Sequence, residues 1–199
     1  MSRLEEAQAV LAQADCVCAA EQVSAAYDVL ATQIRAEYAA LNPLMLVVMI
    51  GGLVPAAEIL RRLDFAFEVD YLHATRYHGA TSGGGLQWKR RPDAVLTGRH
   101  VLVIDDILDE GHTLVAIREE LQTSQPASLK VAVLAEKLHA RRASSAHAEF
   151  IGVQLPDRYV FGCGMDYKEY WRQLPAIYAV REAHSSFREL QFPVSREIA

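Results

Sequence analysis

The sequence is poor in cysteine, in basic charge and in long apolar runs, and each shortage excludes a class of function. Three cysteines, Cys16, Cys18 and Cys163, do not make a disulfide framework. Cys16 and Cys18 stand two apart on a segment that reads as helix, so they point to nearly opposite faces and make poor co-ligands for one metal. All three read as reduced thiols. No His/Cys pair has zinc spacing. Lysine and arginine number 20 against 25 aspartates and glutamates, a formal net charge of -5. That balance gives no electrostatic footprint for nucleic-acid binding. No apolar run reaches the roughly 18 residues that suggest a membrane span. The opening stretch, MSRLEEAQAVLAQAD, is amphipathic and acidic, unlike a signal or transit peptide, so the cytoplasm is the expected compartment.

What remains is an ordinary globular composition, 51% hydrophobic over 199 residues, with room for one domain and a sizeable core. Spaced apolar residues and good helix formers predict helices over Glu5–Ala14 and Ser24–Leu41. Asn42-Pro43 stops the second. LMLVVMI, Leu44–Ile50, is an unbroken apolar run closed by Gly51-Gly52 and reads as a strand buried on both faces. A helix is expected over Val54–Leu63, then one or two strands within Phe65–Tyr77. Gly79–Pro92 is a polar, glycine-rich interruption too long for a tight turn. Strands follow at Val101–Asp105, Lys130–Glu136 and Phe150–Val153, with a helix over Thr113–Thr123 and a last strand at Ala176–Val180. This alternation predicts an α/β fold, a parallel twisted sheet flanked by helices.

The chemistry concentrates in VLVIDDILDEGHT, Val101–Thr113. An apolar strand runs into two adjacent acids, a third three residues on, then a fourth, Gly, and the start of a helix. Like charges repel, so the cluster needs a reason. Parallel sheets bind ligands beyond the carboxyl ends of their strands, where Asp105 and Asp106 are expected. Such acids suit a divalent cation or sugar hydroxyls. A helix start offers free N–H groups and a positive dipole end to phosphate, and Gly111 lets the backbone come close. The pattern reads as a sugar-phosphate site. One acid alone would read as a helix cap or a solvated strand end.

This stretch resembles the signature of the type I phosphoribosyltransferases. Three further segments match in the same order. VMIGGLVPAAEIL, Val48–Leu60, is similar to the family's pyrophosphate loop; Lys137 ends a strand with Arg141 four residues on; DRYVFGCGMDYKEYWR, Asp157–Arg172, looks like the segment of hypoxanthine-guanine phosphoribosyltransferases that covers the purine. Together they span residues 44 to 180. The resemblance implies one domain over residues 1–181, a lid loop near 76–92, a small hood built from the N- and C-terminal segments, and a tail over 182–199. It implies purine salvage: hypoxanthine, preferred, and guanine combine with phosphoribosyl pyrophosphate to give the nucleoside monophosphate and pyrophosphate, with Mg²⁺ as cofactor. Xanthine is the alternative base.

By the same resemblance, Asp109 faces the purine N7 as general base or acid. Asp105 and Asp106 hold the ribose hydroxyls directly or through Mg²⁺, and Asp166 helps hold a metal through water. Glu110, Gly111, His112 and Thr113 cradle the 5′-phosphate. Ile50, Gly51, Gly52, Arg141, Arg172, Arg76 and Tyr77 serve the pyrophosphate and its lid. Lys137 bonds the purine O6, Tyr159 stacks on the ring, and Val160 and Asp166 meet the base edge. A homodimer or homotetramer is implied.

The sequence departs from the family at three places. Ile50 stands where a polar or basic residue usually precedes the Gly pair; Arg76 stands where the lid usually begins with Ser; Glu110 stands where Thr or Ser is common. Two other readings compete. A receiver domain or aspartyl-phosphate phosphatase also sets acids at strand ends, but Gly-x-Thr directly after them suits a sugar phosphate better. A phosphoribosyltransferase-like RNA-binding regulator would want a basic face, against the net charge.

Overall fold

The computed structural model describes residues 1–76 and 86–181. Its helices are α1 (Arg3–Gln13), α2 (Ala20–Tyr38), α3 (Leu53–Leu60) and α4 (His112–Gln122). Its strands are β1 (Asp15–Cys18), β2 (Leu44–Val48), β3 (Glu68–Arg76), β4 (Leu86–Arg90), β5 (His100–Leu108), β6 (Ser128–Lys137), β7 (Phe150–Leu155), β8 (Val160–Phe161) and β9 (Ile177–Ala179). Six strands form the main sheet in the order β4-β3-β2-β5-β6-β7. All neighbours pair in parallel except β4, which runs antiparallel on β3 at the edge.

The unbroken apolar runs follow from a sheet covered on both faces. β2 is buried at every position, and its residues alternate between two cores. Met45 and Val47 join Leu102, Ile104, Ala132 and Leu134 against α2 and α3. Leu44, Leu46 and Val48 join Val101, Val103, Val131 and Val133 against α4. Each large aliphatic side chain so buried contributes about 1.5–3 kcal/mol by leaving water.

A second sheet, β1-β9-β8, is antiparallel and joins the two ends of the described chain. Its own core is Val10, Phe161 and Val180, with Tyr159, Tyr167 and Tyr178 packed around them. Polar ties fix α1 to it: Trp171 Nε1 donates to the Ala7 carbonyl at 2.9 Å, and Lys168 pairs with Glu6 at 2.6 Å. Arg158 donates to Asp15 at 2.6 Å and to the Val180 carbonyl at 2.9 Å. This is the expected hood.

Four expectations are corrected. Cys16 and Cys18 lie on a strand, not a helix. They still differ in exposure, Cys16 outward and Cys18 buried, because the register of β1 on β9 shifts between them. The pairing partner lies some 160 residues away in sequence, beyond any local pattern. The glycine-rich interruption is not all loop, since Leu86–Arg90 pairs with β3. Val160–Phe161 forms a strand that was not expected. Finally, β5 does not stop at Asp105 but runs to Leu108. Tyr77 and the core of the expected lid, 77–85, lie outside the described residues, as does the 182–199 tail.

Candidate functional site

The site forms where β2 ends before its neighbour does. β2 pairs with β5 only as far as Val47 opposite Ile104, while β5 stays paired with β6 through Leu108 opposite Glu136. Asp105 and Asp106 therefore emerge where one flank of β5 has just become free. The turn after β2, with a cis peptide between Met49 and Ile50, crosses that flank. Its glycines are required by proximity. A Cβ on Gly51 would lie 2.2 Å from Asp106 Oδ2, and one on Gly164, in the segment after β8, 2.2 Å from the Gly51 carbonyl. Ile50 is exposed at the rim, at 52%.

Desolvation raises both carboxyls of the Asp pair above the ordinary carboxylate range, and for Asp105 the neighbouring Asp106 adds to the rise. Backbone donors temper this: the Asp106 N–H bonds Asp105 Oδ1 at 2.9 Å, and the Ile107 N–H bonds Asp106 Oδ1 at 2.8 Å. The charge of Arg172 reaches both. Its guanidinium is engaged by Asp166 at 2.6 Å and by the Gly164 carbonyl at 2.6 Å. Among the described residues, no group of three His, Cys, Asp or Glu side chains is placed to hold a metal alone.

The phosphate-loop candidate caps α4. Gly111 is its N-cap with φ of 80°, a left-handed conformation that glycine adopts without strain. Its missing side chain also matters, because a Cβ would lie 2.3 Å from that of Ala146. The Val115 N–H bonds the Gly111 carbonyl at 2.9 Å, so the preceding N–H groups of the helix start lie ahead of the helical ladder. Glu110 and His112 are both about half exposed. Arg141 grips Asp157 through two bonds of 2.6 and 2.8 Å and reaches Glu110 at 3.3 Å. That grip holds the Asp157 carboxyl down at about 2. Arg141 thus stands by the phosphate-loop candidate, whereas Arg172 stands by Asp166.

Asp109 follows β5 directly and is held at both oxygens. Lys137, the last residue of β6, bonds Oδ2 at 2.5 Å. His139 Nε2 bonds Oδ1 at 2.7 Å. Desolvation alone would raise the Asp109 carboxyl, but the Lys137 and His139 contacts outweigh it and leave the group below the ordinary range. Lys137 is only 4% exposed, and Arg142 secures its carbonyl at 2.7 Å.

Asp106, Asp109 and Lys137 share one cleft of about 180 Å³, lined also by Ile107, Tyr159, Val160, Met165 and Asp166. Pockets that take a whole small-molecule ligand usually enclose roughly 300–1,000 Å³, so this one suits a single ring system. Six of its residues were expected at the site from sequence. Ile107 and Met165 were not; they look like spacers inside motifs, and only folding shows which spacer lines a wall. His139 was also missed. Its signal was its place two residues after Lys137, since alternate residues of an extended chain share a side. Arg76 ends β3.

The family model described as phosphoribosyl transferase domain matches residues 17–169. The chain belongs to this family. Among curated phosphoribosyltransferases, it is 34% identical over 154 residues to the hypoxanthine-guanine-xanthine enzyme of Tritrichomonas foetus, covering 77% of this chain and 84% of that one. It is 32% identical over 163 residues to a hypoxanthine-guanine phosphoribosyltransferase of Streptococcus pneumoniae, covering 81% and 90%. The crystal structure of a hypoxanthine-guanine phosphoribosyltransferase from Bacillus anthracis superposes with a TM-score of 0.78 at 30% identity, covering 84% of this chain and 98% of that one. A hypoxanthine phosphoribosyltransferase from Staphylococcus aureus gives 0.80 at 27%, covering 85% and 92%. The phosphoribosyltransferase fold read from the sequence is the one observed, and the chain is an enzyme of the transferase class.

Proposed function

We propose that this phosphoribosyltransferase joins a 6-oxopurine, hypoxanthine first and guanine second, to the ribose of phosphoribosyl pyrophosphate, releasing pyrophosphate. The observation that carries the reading is the single cleft that gathers Asp109, Lys137, Tyr159, Val160 and Asp166 from distant stretches of chain. Its size suits a purine ring. Tyr159 offers a face to that ring, held edge-to-face by Tyr167 at 5.6 Å between centroids. The Lys137 ammonium has donors and no acceptor, so it favours a 6-oxo group over a 6-amino group. Asp109 takes the N7 proton side of the base.

The ribose lies over Asp105 and Asp106, whose carboxylates meet its 2′- and 3′-hydroxyls. Its 5′-phosphate lies on the backbone of Glu110–Thr113, at the start of α4. Ile50, Gly51, Gly52 and Arg172 serve the pyrophosphate; Ile50 brings no donor side chain, so backbone N–H groups do that work. Arg141 serves the sugar diphosphate from the side of Glu110. Arg76 and Tyr77 lead into the lid. The donor set fits Mg²⁺: two adjacent desolvated carboxylates with raised pKa suit a dication, and this ion commonly takes one or two carboxylates and completes its shell with water and substrate oxygens. Asp105 and Asp106 would hold it, with Asp166 contributing nearby. When bound, the ion neutralises charge that grows on the departing pyrophosphate. The carboxylates by the ribose stabilise the cationic sugar of the transition state. A homodimer or homotetramer in the cytoplasm completes the proposal. No helix of the described residues is long and apolar enough to cross a membrane.

An absorbance assay with hypoxanthine, guanine, xanthine and adenine, each with phosphoribosyl pyrophosphate and Mg²⁺, tests the reading. Turnover is expected with hypoxanthine and guanine and not with adenine. No product from any purine overturns the proposal.

A further inference from the structure

The two oxygens of Asp109 have different neighbours. Oδ2 is bonded by Lys137, which lines the cleft. Oδ1 is bonded by His139, whose side chain is 3% exposed and which is not part of the cleft wall. The imidazole is fixed in turn. Its Nδ1 lies 3.2 Å from the backbone N–H of Arg141, which can only donate. Nδ1 is therefore the acceptor, and the ring proton sits on Nε2, directed at Asp109 Oδ1. The loop bearing this N–H is anchored nearby, since Arg141 grips Asp157 and Glu110.

We infer that His139 is the positioning residue of Asp109: it holds the carboxylate from behind so that Oδ2 alone faces the base. This rests on the function proposed above. A purine entering the cleft displaces Lys137 from Oδ2. The ammonium moves to the 6-oxo group and the N7 side takes its place on Oδ2, while the His139 bond on Oδ1 persists. Without it, departure of Lys137 would leave the carboxylate free to rotate. The arrangement thus separates two duties that one lysine cannot perform at once. Lys137 reads the base, and His139 keeps Asp109 aimed. The charged groups that bear on this pair are Lys137, Asp157, Arg141 and, across the cleft, Asp106 and Asp166.

The test compares His139→Leu, which removes the donor, with His139→Gln, whose side-chain amide reaches about as far as Nε2. Hydrogen bonds to charged groups contribute about 1.5–3 kcal/mol, so kcat with hypoxanthine is expected to fall on the order of 10- to 100-fold in the Leu variant. KM for phosphoribosyl pyrophosphate should change little, and Gln should restore most of the loss. In an Asp109→Asn background, His139→Leu should cost little more, because its partner charge is already gone. If the Leu variant does not fold, His139→Asn, whose amide stops short of Asp109, replaces it. Unchanged kcat, an equal loss in the Gln variant, or full additivity with Asp109→Asn overturns the inference. Inactivity of the unaltered chain with every purine would instead overturn the proposed function, so the two failures are distinct.

Discussion

Near the end of β5, Asp105 and Asp106 crowd each other, and the arginine whose charge reaches both is bonded to Asp166. Three residues on, Asp109 has Lys137 on one oxygen and His139 on the other. The residue type is the same and the consequences are opposite. Desolvation raises the carboxyls of the pair, whereas Lys137 and His139 outweigh desolvation and lower that of Asp109. The pair is destabilising until a ligand brings positive charge or hydroxyls. Asp109 is set in advance by the protein's own cation and donor. The first arrangement suits binding, the second suits aiming.

Asp109→Asn should break this contrast most severely. Turnover with hypoxanthine is expected to fall about 10²- to 10⁴-fold while binding of phosphoribosyl pyrophosphate, measured by calorimetry, is kept. Undiminished turnover would remove Asp109 from the chemistry. Asp106→Asn sharpens the contrast by splitting stability from function. Activity should fall strongly, yet the melting temperature of the ligand-free chain at pH 7 should rise by about 2–4 °C. The Asn carbonyl keeps the Ile107 N–H bond and removes the desolvated charge.

The pH dependence follows the same signs. A raised folded pKa makes ionisation of the pair a cost above that value, and the cost is relieved as pH falls through it. The advantage of Asp106→Asn should therefore shrink in thermal melts as pH is lowered from 7 toward the ordinary carboxylate range. For Asp109 the lowered pKa means that its contribution is present above the ordinary carboxylate value and is lost only as pH falls through the lower, folded one. An advantage that grows as pH is lowered would reverse the reading of the pair. The smallest effect is expected at Arg141, whose partners are exposed. Arg141→Gln should leave the melting temperature nearly unchanged, because exposed ion pairs contribute little. It should raise KM for phosphoribosyl pyrophosphate severalfold, an effect that fades at high salt.

The parallel sheet was legible in the runs Leu44–Val48, Val101–Ile104 and Val131–Ala135, because residues buried on both faces leave unbroken apolar stretches. The turn at Gly111 was legible because a left-handed cap at a close approach leaves few alternatives to glycine. β1 was not, because its four residues gain their strand only from β9 at the far end of the described chain. His139 was missed, because its place two residues after Lys137 sets a side of the chain but not the carboxylate it will meet.

By itself, the sequence determined the order of the buried parallel strands and the helices between them, the acids at the end of β5 and the phosphate-loop candidate at α4, since periodicity, glycine and local charge are written along the chain. Only the tertiary structure decided which acids are left crowded and which is held. That depends on where β2 ends beside β5, and on β6 and the residues just after it delivering Lys137 and His139 to Asp109 from 28 and 30 residues away. Desolvation and pairing are properties of surroundings, and the surroundings exist only once the strands lie side by side.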